Sequence, residues 1–313
     1  MSPPKLTRAL AFACACTAGV ILSGSVVGTQ VYRGGTDVVL LSVTVSDNAG
    51  HHVPGLTGQD FHIFEDNVLQ DISHFSDQPE PISLSLLIDT SNSMESQNKL
   101  GLAQQAANGF VSRLGPNDVA QIVDFDSQTK ILMPFTGDKD ALARGLKLAK
   151  PGGSTSLYNA IYTALSDLKR LRRASTTELR RQAIILLSDG EDTSSLVPYD
   201  DVLELAKRNE VIVYAIGLVT KDQPATRGWN EAEFVLKTLT RDTGGRAFFV
   251  ADPAQLPAIY IQISEELASQ YSVGYMSKNV KKDGTWRRIT MQVLKGDAMA
   301  RTRSGYFAPT EPK

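Results

Sequence analysis

Cysteine and histidine are scarce in this chain of 313 residues. The two cysteines, Cys14 and Cys16, lie close to the N-terminus. The four histidines all fall in the N-terminal quarter of the chain, at His51, His52, His62 and His74. We therefore expect no disulfide framework in the main body of the protein, and no metal site built from cysteine and histidine.

A strong excess of positive charge is also absent. The chain has 32 basic and 34 acidic residues and a formal net charge of −2, which argues against a general nucleic-acid-binding protein. It contains no G-x-x-x-x-G-K-[S/T] sequence, so nucleotide hydrolysis of the P-loop type is not supported. The length is sufficient for one large or two medium domains.

The N-terminal segment differs in composition from the rest. Lys5 and Arg8 precede a largely apolar run, residues 9–27, that is interrupted only by small residues. This pattern predicts that residues 1–28 are a secretory signal peptide or an N-terminal membrane anchor. We therefore expect an exported protein that is periplasmic, membrane-anchored or extracellular.

Two strongly apolar segments each end at an acidic residue. Residues 82–88 precede Asp89 and read as a strand buried on both faces, and residues 181–188 precede Asp189. Ser91 and Ser93 follow the first acid, and hard oxygens of this kind suit Mg²⁺, Mn²⁺ or Ca²⁺. Open α/β sheets bind ligands at the carboxyl ends of their strands, so these side chains are candidate ligands.

Strand and helix patterns alternate through the middle of the chain. Strands are predicted at residues 118–125, 130–135, 211–218 and 247–250, and helices at residues 98–114, 157–171, 199–209, 231–243 and 254–269. Such alternation predicts an α/β fold with a doubly wound, mostly parallel sheet. Residues 130–135 follow a tight turn and are expected to form an antiparallel edge strand.

The combination of strand-end acids and hydroxyls resembles the von Willebrand factor type A domain and its metal-ion-dependent adhesion site. That family has Asp-x-Ser-x-Ser after its first strand, a threonine in a later loop and an aspartate after its fourth strand. The resemblance covers about residues 80–270. Its residue-by-residue transfer gives one metal-ligand set: Asp89, Ser91, Ser93, Thr155 and Asp189.

Two further expectations follow from this resemblance. The loop that carries Thr155 has one more small residue than the common family form, so Ser154 is an alternative ligand. The family strand order, 3-2-1-4-5-6, makes the first and fourth strands neighbours and thereby brings Asp89 beside Asp189.

The resemblance implies a divalent cation, Mg²⁺ before Mn²⁺ or Ca²⁺, and a protein partner that presents an Asp or Glu carboxylate. The leading hypothesis is a metal-dependent protein-binding or adhesion module at the cell envelope, without enzymatic activity. One alternative is a structural envelope scaffold whose metal only stabilises the domain. A second is a Mg²⁺-dependent phosphatase, which is less favoured because that family has a second acid where this chain has Ser91.

Both flanks of this α/β region show the alternation of β-strands. The segments are residues 36–78 and residues 271–308, and the second includes a predicted strand at residues 300–307. Neither segment has enough strands for a core of its own, because one or two hairpins are marginal in water. We therefore expect both to fold together as one small β-sandwich, with residues 80–270 inserted between them.

One basic cluster lies at the end of the long helix and in the loop after it. Its members are Lys169, Arg170, Arg172, Arg173, Arg180 and Arg181. The favoured interpretation is a solvated helix terminus, where cations complement the helix dipole. Contact with an acidic surface, such as an envelope polymer or anionic lipid, is the alternative.

Overall fold

The computed structural model describes residues 38–174, 180–189, 192–219 and 227–310. The predicted signal peptide or anchor, residues 1–28, lies outside these ranges. Within them, no helix is long and apolar enough to cross a membrane.

Strands and helices follow each other along the described chain. The N-terminal flank forms β1 (Val38–Ser46), β2 (Phe61–Glu65), β3 (Val68–Gln70) and β4 (Ile72–Ser76). The central region forms β5 (Ile82–Asp89), α1 (Lys99–Ser112), β6 (Val119–Phe125), β7 (Thr129–Thr136), α2 (Lys139–Leu146), α3 (Leu157–Ala174), β8 (Arg181–Ser188), α4 (Tyr199–Asn209), β9 (Ile212–Leu218), α5 (Arg227–Thr243), β10 (Ala247–Val250) and α6 (Leu256–Ala268). The C-terminal flank forms β11 (Tyr271–Met276), β12 (Trp286–Val293), β13 (Met299–Arg301) and β14 (Gly305–Phe307).

The central sheet has the order β10-β9-β8-β5-β6-β7. Every neighbouring pair is parallel except β6 and β7, so β7 is an antiparallel edge strand. Counted along the chain, this order is the predicted 3-2-1-4-5-6. The predicted α/β fold class with a doubly wound, mostly parallel sheet is confirmed.

Helices cover both faces of this sheet, which explains why every residue of the central strands β5 and β8 is buried. Leu84 and Leu86 of β5 belong to a core formed with α1, α2 and α6. Leu87 belongs to a second core, formed with α3, α4 and α5. Burying one such side chain contributes roughly 1.5–3 kcal/mol, so each strand is held from two sides. The short helix α2 was not predicted, although Asp138 caps its N-terminus through two backbone N–H groups.

Strands from both flanks interleave in two antiparallel four-stranded sheets. Their orders are β13-β1-β11-β4 and β14-β12-β2-β3. Each sheet therefore contains strands from before and after the α/β region. Their inward side chains share one core, to which Val43 of β1, Ile63 of β2 and Tyr275 of β11 contribute.

The predicted strand at residues 300–307 is wrong in one respect: it is two short strands in different sheets. β13 pairs with β1, whereas β14 pairs with β12. Between them, the Thr302 hydroxyl donates to the carbonyl of Ser42, and the N–H of Ser304 donates to the carbonyl of Asp242. These contacts with β1 and the end of α5 turn the chain from one sheet to the other.

A charged network is buried between the two flanking sheets. Glu65 of β2 and Arg287 of β12 are each 2% exposed and form an ion pair at 3.3 Å. The hydroxyls of Tyr275 and Tyr306 each donate to Glu65 at 2.9 Å, and that of Ser277 donates at 2.6 Å. Burial and the hydrogen bond to Glu65 raise the pKa of Tyr275, so the phenol stays protonated as a donor. Glu65 thereby connects the N-terminal flank to four residues of the C-terminal flank.

Candidate metal centre

The two strand-end acids lie together at the carboxyl edge of the central sheet. Asp89 is the last residue of β5, and Asp189 directly follows β8. The two strands are parallel neighbours, with Ile88 opposite Leu187. The strand order therefore brings together two acids that are 100 positions apart, as the family resemblance implied.

Asp89 is fully buried, and the groups that donate hydrogen bonds to its carboxylate are uncharged. The backbone N–H of Ser91 donates to Oδ1 at 2.8 Å, and the hydroxyl of Ser188 donates to Oδ2 at 2.5 Å. Burial raises the pKa of the Asp89 carboxyl; these hydrogen bonds oppose the shift, and the charge of Asp189 adds to it. The carboxylate form of Asp89 would therefore be stabilised by a cation.

Hydroxyls connect the first loop to the second acid. The Oγ atoms of Ser91 and Ser93 are 3.0 Å apart, and the Ser93 hydroxyl donates to Asp189 Oδ1 at 2.6 Å. Four of the five predicted ligands thus lie within one hydrogen-bonded group at the sheet edge.

The loop of Thr155 is held against the first loop by its backbone. The N–H of Gly152 donates to the carbonyl of Thr90 at 2.7 Å, and the N–H of Asn92 donates to the carbonyl of Gly153 at 3.1 Å. Thr155 is 6% exposed, whereas Ser154 is exposed. This difference in burial favours Thr155 over Ser154 as the loop's candidate ligand.

Lys99 is a site residue that the sequence analysis missed. Its Nζ donates to Asp189 Oδ2 at 2.5 Å, and the side chains of both residues are almost fully buried. Lys99 is the first residue of α1, where a cation is unfavourable against the helix dipole. Gln97 and Asn98, at φ of 55° and 54°, turn the chain into this helix through left-handed conformations. The ion pair with Asp189 offsets the unfavourable position of the Lys99 cation.

The side chains at this edge fit a divalent cation. Among the described residues no three His, Cys, Asp or Glu side chains are grouped to hold a metal. The candidate donors are instead two carboxylates and three hydroxyls, which are hard oxygens of the kind that Mg²⁺ takes. Lys99 offsets one of the two buried negative charges, and a cation bound beside Asp89 would offset the other. Residues Asp89, Ser91, Ser93, Thr155 and Asp189 would hold it.

The fold and this polar cluster define a doubly wound α/β domain with a candidate ligand site at the carboxyl edge of its sheet. Residues 84–191 match the model of the von Willebrand factor type A domain. Residues 84–191 of the α/β region therefore carry the sequence pattern of a von Willebrand factor type A domain.

Solved structures agree with this fold. A von Willebrand factor type A protein from Catenulispora acidiphila superposes with a TM-score of 0.53 at 12% identity, over 90% of this chain and 76% of the other. A mutant of the PilB minor pilin from Streptococcus sanguinis gives a TM-score of 0.50 at 11% identity, over 62% of this chain and 63% of the other. At these identities the likeness is one of fold.

Sequence relatives are distant. An uncharacterized protein of Borreliella burgdorferi is 26% identical over 223 residues, covering 66% of this chain and 60% of the relative. A UPF0353 protein of Mycolicibacterium paratuberculosis is 26% identical over 219 residues, covering 65% of this chain and 64% of the relative. The chain thus spans less than two thirds of the length of either relative.

Proposed function

We propose that this protein is a metal-dependent protein-binding module, of the adhesion type, that acts at the cell envelope. Von Willebrand factor type A domains commonly mediate protein interactions and adhesion. The observation that carries the proposal is the pairing of Asp89 and Asp189 at the sheet edge with bridging hydroxyls. Mg²⁺ is the preferred ion, and Mn²⁺ or Ca²⁺ would also suit oxygen ligands.

The partner class follows from charge and coordination. Five protein oxygens leave at least one position of a six-coordinate ion for an outside ligand. Only two of these five donors are charged, and Lys99 adds a further positive charge, so the site would favour an anion. An Asp or Glu carboxylate on a partner protein has the required charge and oxygen type. No catalytic role is proposed for the site.

The envelope location rests on the N-terminal composition. Lys5, Arg8 and the apolar run at residues 9–27 support export or anchoring. The PilB structure, which shares the fold, is described as a minor pilin.

A structural scaffold is the second candidate, and Lys99 is the observation that favours it. Its ammonium group already neutralises Asp189 and closes the hydrogen-bonded group without any ion. In that case the polar cluster would hold the loops together, and metal would not be needed for partner binding. Partner capture by the full-length protein from its native envelope, compared with and without EDTA, separates the two candidates. Capture that EDTA leaves unchanged would favour the scaffold.

Replacing Lys99 by methionine is expected to tighten Mg²⁺ binding by about tenfold or more. The lysine competes for Asp189 and repels a dication, and each 1.4 kcal/mol of repulsion removed is worth a factor of ten. Isothermal titration calorimetry on the full-length protein measures this change. We also expect Mg²⁺ to raise the melting temperature more in Lys99→Met than in the wild type, because without metal the variant leaves the charge of Asp189 buried with no cation beside it.

Lys139→Met is the matched control. Lys139 is exposed and donates to the carbonyl of Ser112, at the far end of α1 from Lys99. The same charge is removed, but at a distance from the candidate ligands. Equal Mg²⁺ affinity in Lys99→Met and Lys139→Met would show that Lys99 does not oppose the ion.

A further inference from the structure

Residues 192–197 form a segment, here named the clasp, that is hydrogen-bonded to the loop of Thr155. The N–H of Thr155 donates to Oγ1 of Thr193 at 3.0 Å, and the Thr193 hydroxyl donates to the carbonyl of Thr155 at 3.3 Å. The N–H groups of Thr193 and Ser194 donate to the same carbonyl, at 2.9 and 3.1 Å. The clasp therefore holds both backbone polar groups of a candidate metal ligand.

The clasp also holds the first turn of α3, which begins two residues after Thr155. Asp192 Oδ1 accepts the N–H of Tyr158 at 3.3 Å and the hydroxyl of Ser195 at 2.5 Å. Ser195 Oγ accepts the N–H of Asn159 at 3.0 Å, and Asn159 Oδ1 accepts two backbone N–H groups of the clasp, at 3.1 and 3.2 Å. The first N–H groups of a helix have no acceptor within the helix, so these bonds fix where α3 starts.

Thr193 links two loops that carry candidate ligands. It follows Asp189 by four positions, whereas Thr155 lies 38 positions earlier in the chain. Thr193 is itself exposed, is not a candidate ligand, and lies beyond residues 84–191, which match the family model. Any effect of its hydroxyl on a bound cation would therefore pass through the backbone of Thr155.

We propose that Thr193 is a positioning residue of the candidate metal centre: its hydroxyl fixes the backbone of Thr155, so that the Thr155 hydroxyl is held in place for a cation. This inference rests on the proposed metal-dependent function. Mg²⁺ requires nearly ideal octahedral geometry with oxygens at about 2.0–2.1 Å, so a ligand on a loop needs support from outside the coordination sphere. The same bonds join the loops of Thr155 and Asp189, so the two candidate ligands are positioned together.

Replacing Thr193 by valine is the test, because valine keeps the branched shape of the side chain and removes only its hydroxyl. In titration calorimetry of the full-length protein, Thr193→Val is expected to bind Mg²⁺ about tenfold more weakly than the wild type, as is usual when a ligand loses its support. Thr193→Ser keeps the hydroxyl and should bind as the wild type does. The matched control is Thr163→Val, which removes a hydroxyl bonded to the carbonyl of Asn159 within α3 at 2.9 Å and should leave the affinity unchanged.

A double variant distinguishes positioning from a general structural role. In Thr155→Val, the ligand hydroxyl that Thr193 would position is absent. Adding Thr193→Val to this protein is expected to leave its residual Mg²⁺ affinity unchanged, because residues that act through one another have non-additive effects. A loss of the same size in both backgrounds would overturn the inference.

Hydrogen exchange in EDTA tests the link between the two threonines without metal. The N–H of Thr155 loses its acceptor in Thr193→Val, so its exchange should be about fivefold faster than in the wild type, whereas Thr163→Val should not change it. Unchanged exchange at Thr155, or equal Mg²⁺ affinity of Thr193→Val and the wild type, would overturn the inference and leave the proposed function standing. A wild type that binds no Mg²⁺ would refute the proposed function itself.

Discussion

Replacing Asp89 by asparagine is expected to reduce Mg²⁺ affinity by more than about 100-fold. Removing a residue that supports a metal ligand from outside the coordination sphere typically lowers metal affinity 10- to 100-fold. Asp89 is itself a candidate ligand and also supplies charge, so its loss should lower the affinity further. Ser91→Ala should have a smaller effect, because a neutral hydroxyl contributes an oxygen but no charge. Titration calorimetry with Mg²⁺ or Mn²⁺ on the full-length protein measures both changes.

The metal-free Asp89→Asn protein is expected to fold at least as stably as the wild type. The amide oxygen can still accept the N–H of Ser91, and the buried, poorly compensated charge is gone. Asp124→Asn is the matched control, because Asp124 is a buried acid opposite Ile88 on the neighbouring strand and is not a candidate ligand. Undiminished Mg²⁺ binding by Asp89→Asn would refute the assignment.

Glu65→Ala is expected to lower the free energy of unfolding by about 3–5 kcal/mol, the usual cost of removing one partner of a buried ion pair. The substitution leaves Arg287 buried without its carboxylate and takes the acceptor from the hydroxyls of Tyr275 and Tyr306. Urea denaturation of the full chain at neutral pH gives this quantity.

Two comparisons sharpen this measurement. Glu204→Ala removes an exposed ion pair with Arg208, four residues along α4, and should cost no more than about 0.5 kcal/mol. Glu65→Gln keeps an acceptor but loses the charge, so its cost should lie between the other two. A Glu65→Ala loss as small as that of Glu204→Ala would mean that the network does not hold the flanks together.

The elements of the α/β domain could be predicted because their patterns are local. Strands β5 and β8 are rich in apolar residues and buried on both faces, and an acid stands at the end of each. The strand order, in contrast, came from the family resemblance, since no spacing along the chain shows that β5 and β8 are neighbours. Residues 300–307 were misassigned because the break at Thr302 depends on contacts with Ser42 and Asp242, which are distant in sequence.

Lys99 was missed for a related reason. The stripe of apolar residues predicts helix α1, but it does not show which residue the lysine side chain at the start of the helix will contact. The pairing with Asp189 spans 90 positions and depends on the strand order. One local signal was present, because a lysine in the first turn of a helix opposes the dipole and suggests a nearby acid.

The burial of Glu65 could have been predicted from the alternation of its strand alone. Phe61, Ile63 and Glu65 are alternate residues of β2, so the period of two places them on one face. An acid on an inward face requires a buried partner. Its identity, Arg287, could not be predicted, because it comes from β12 on the other side of the α/β domain in sequence.

The most direct test of the proposed metal centre is diffraction at the manganese absorption edge from crystals of the protein grown with Mn²⁺. We expect an anomalous peak bounded by Asp89, Asp189 and the hydroxyls of the two loops, with the Lys99 ammonium withdrawn from Asp189. A site without such a peak at saturating Mn²⁺, with the pair of Lys99 and Asp189 intact, would contradict the metal-dependent mechanism.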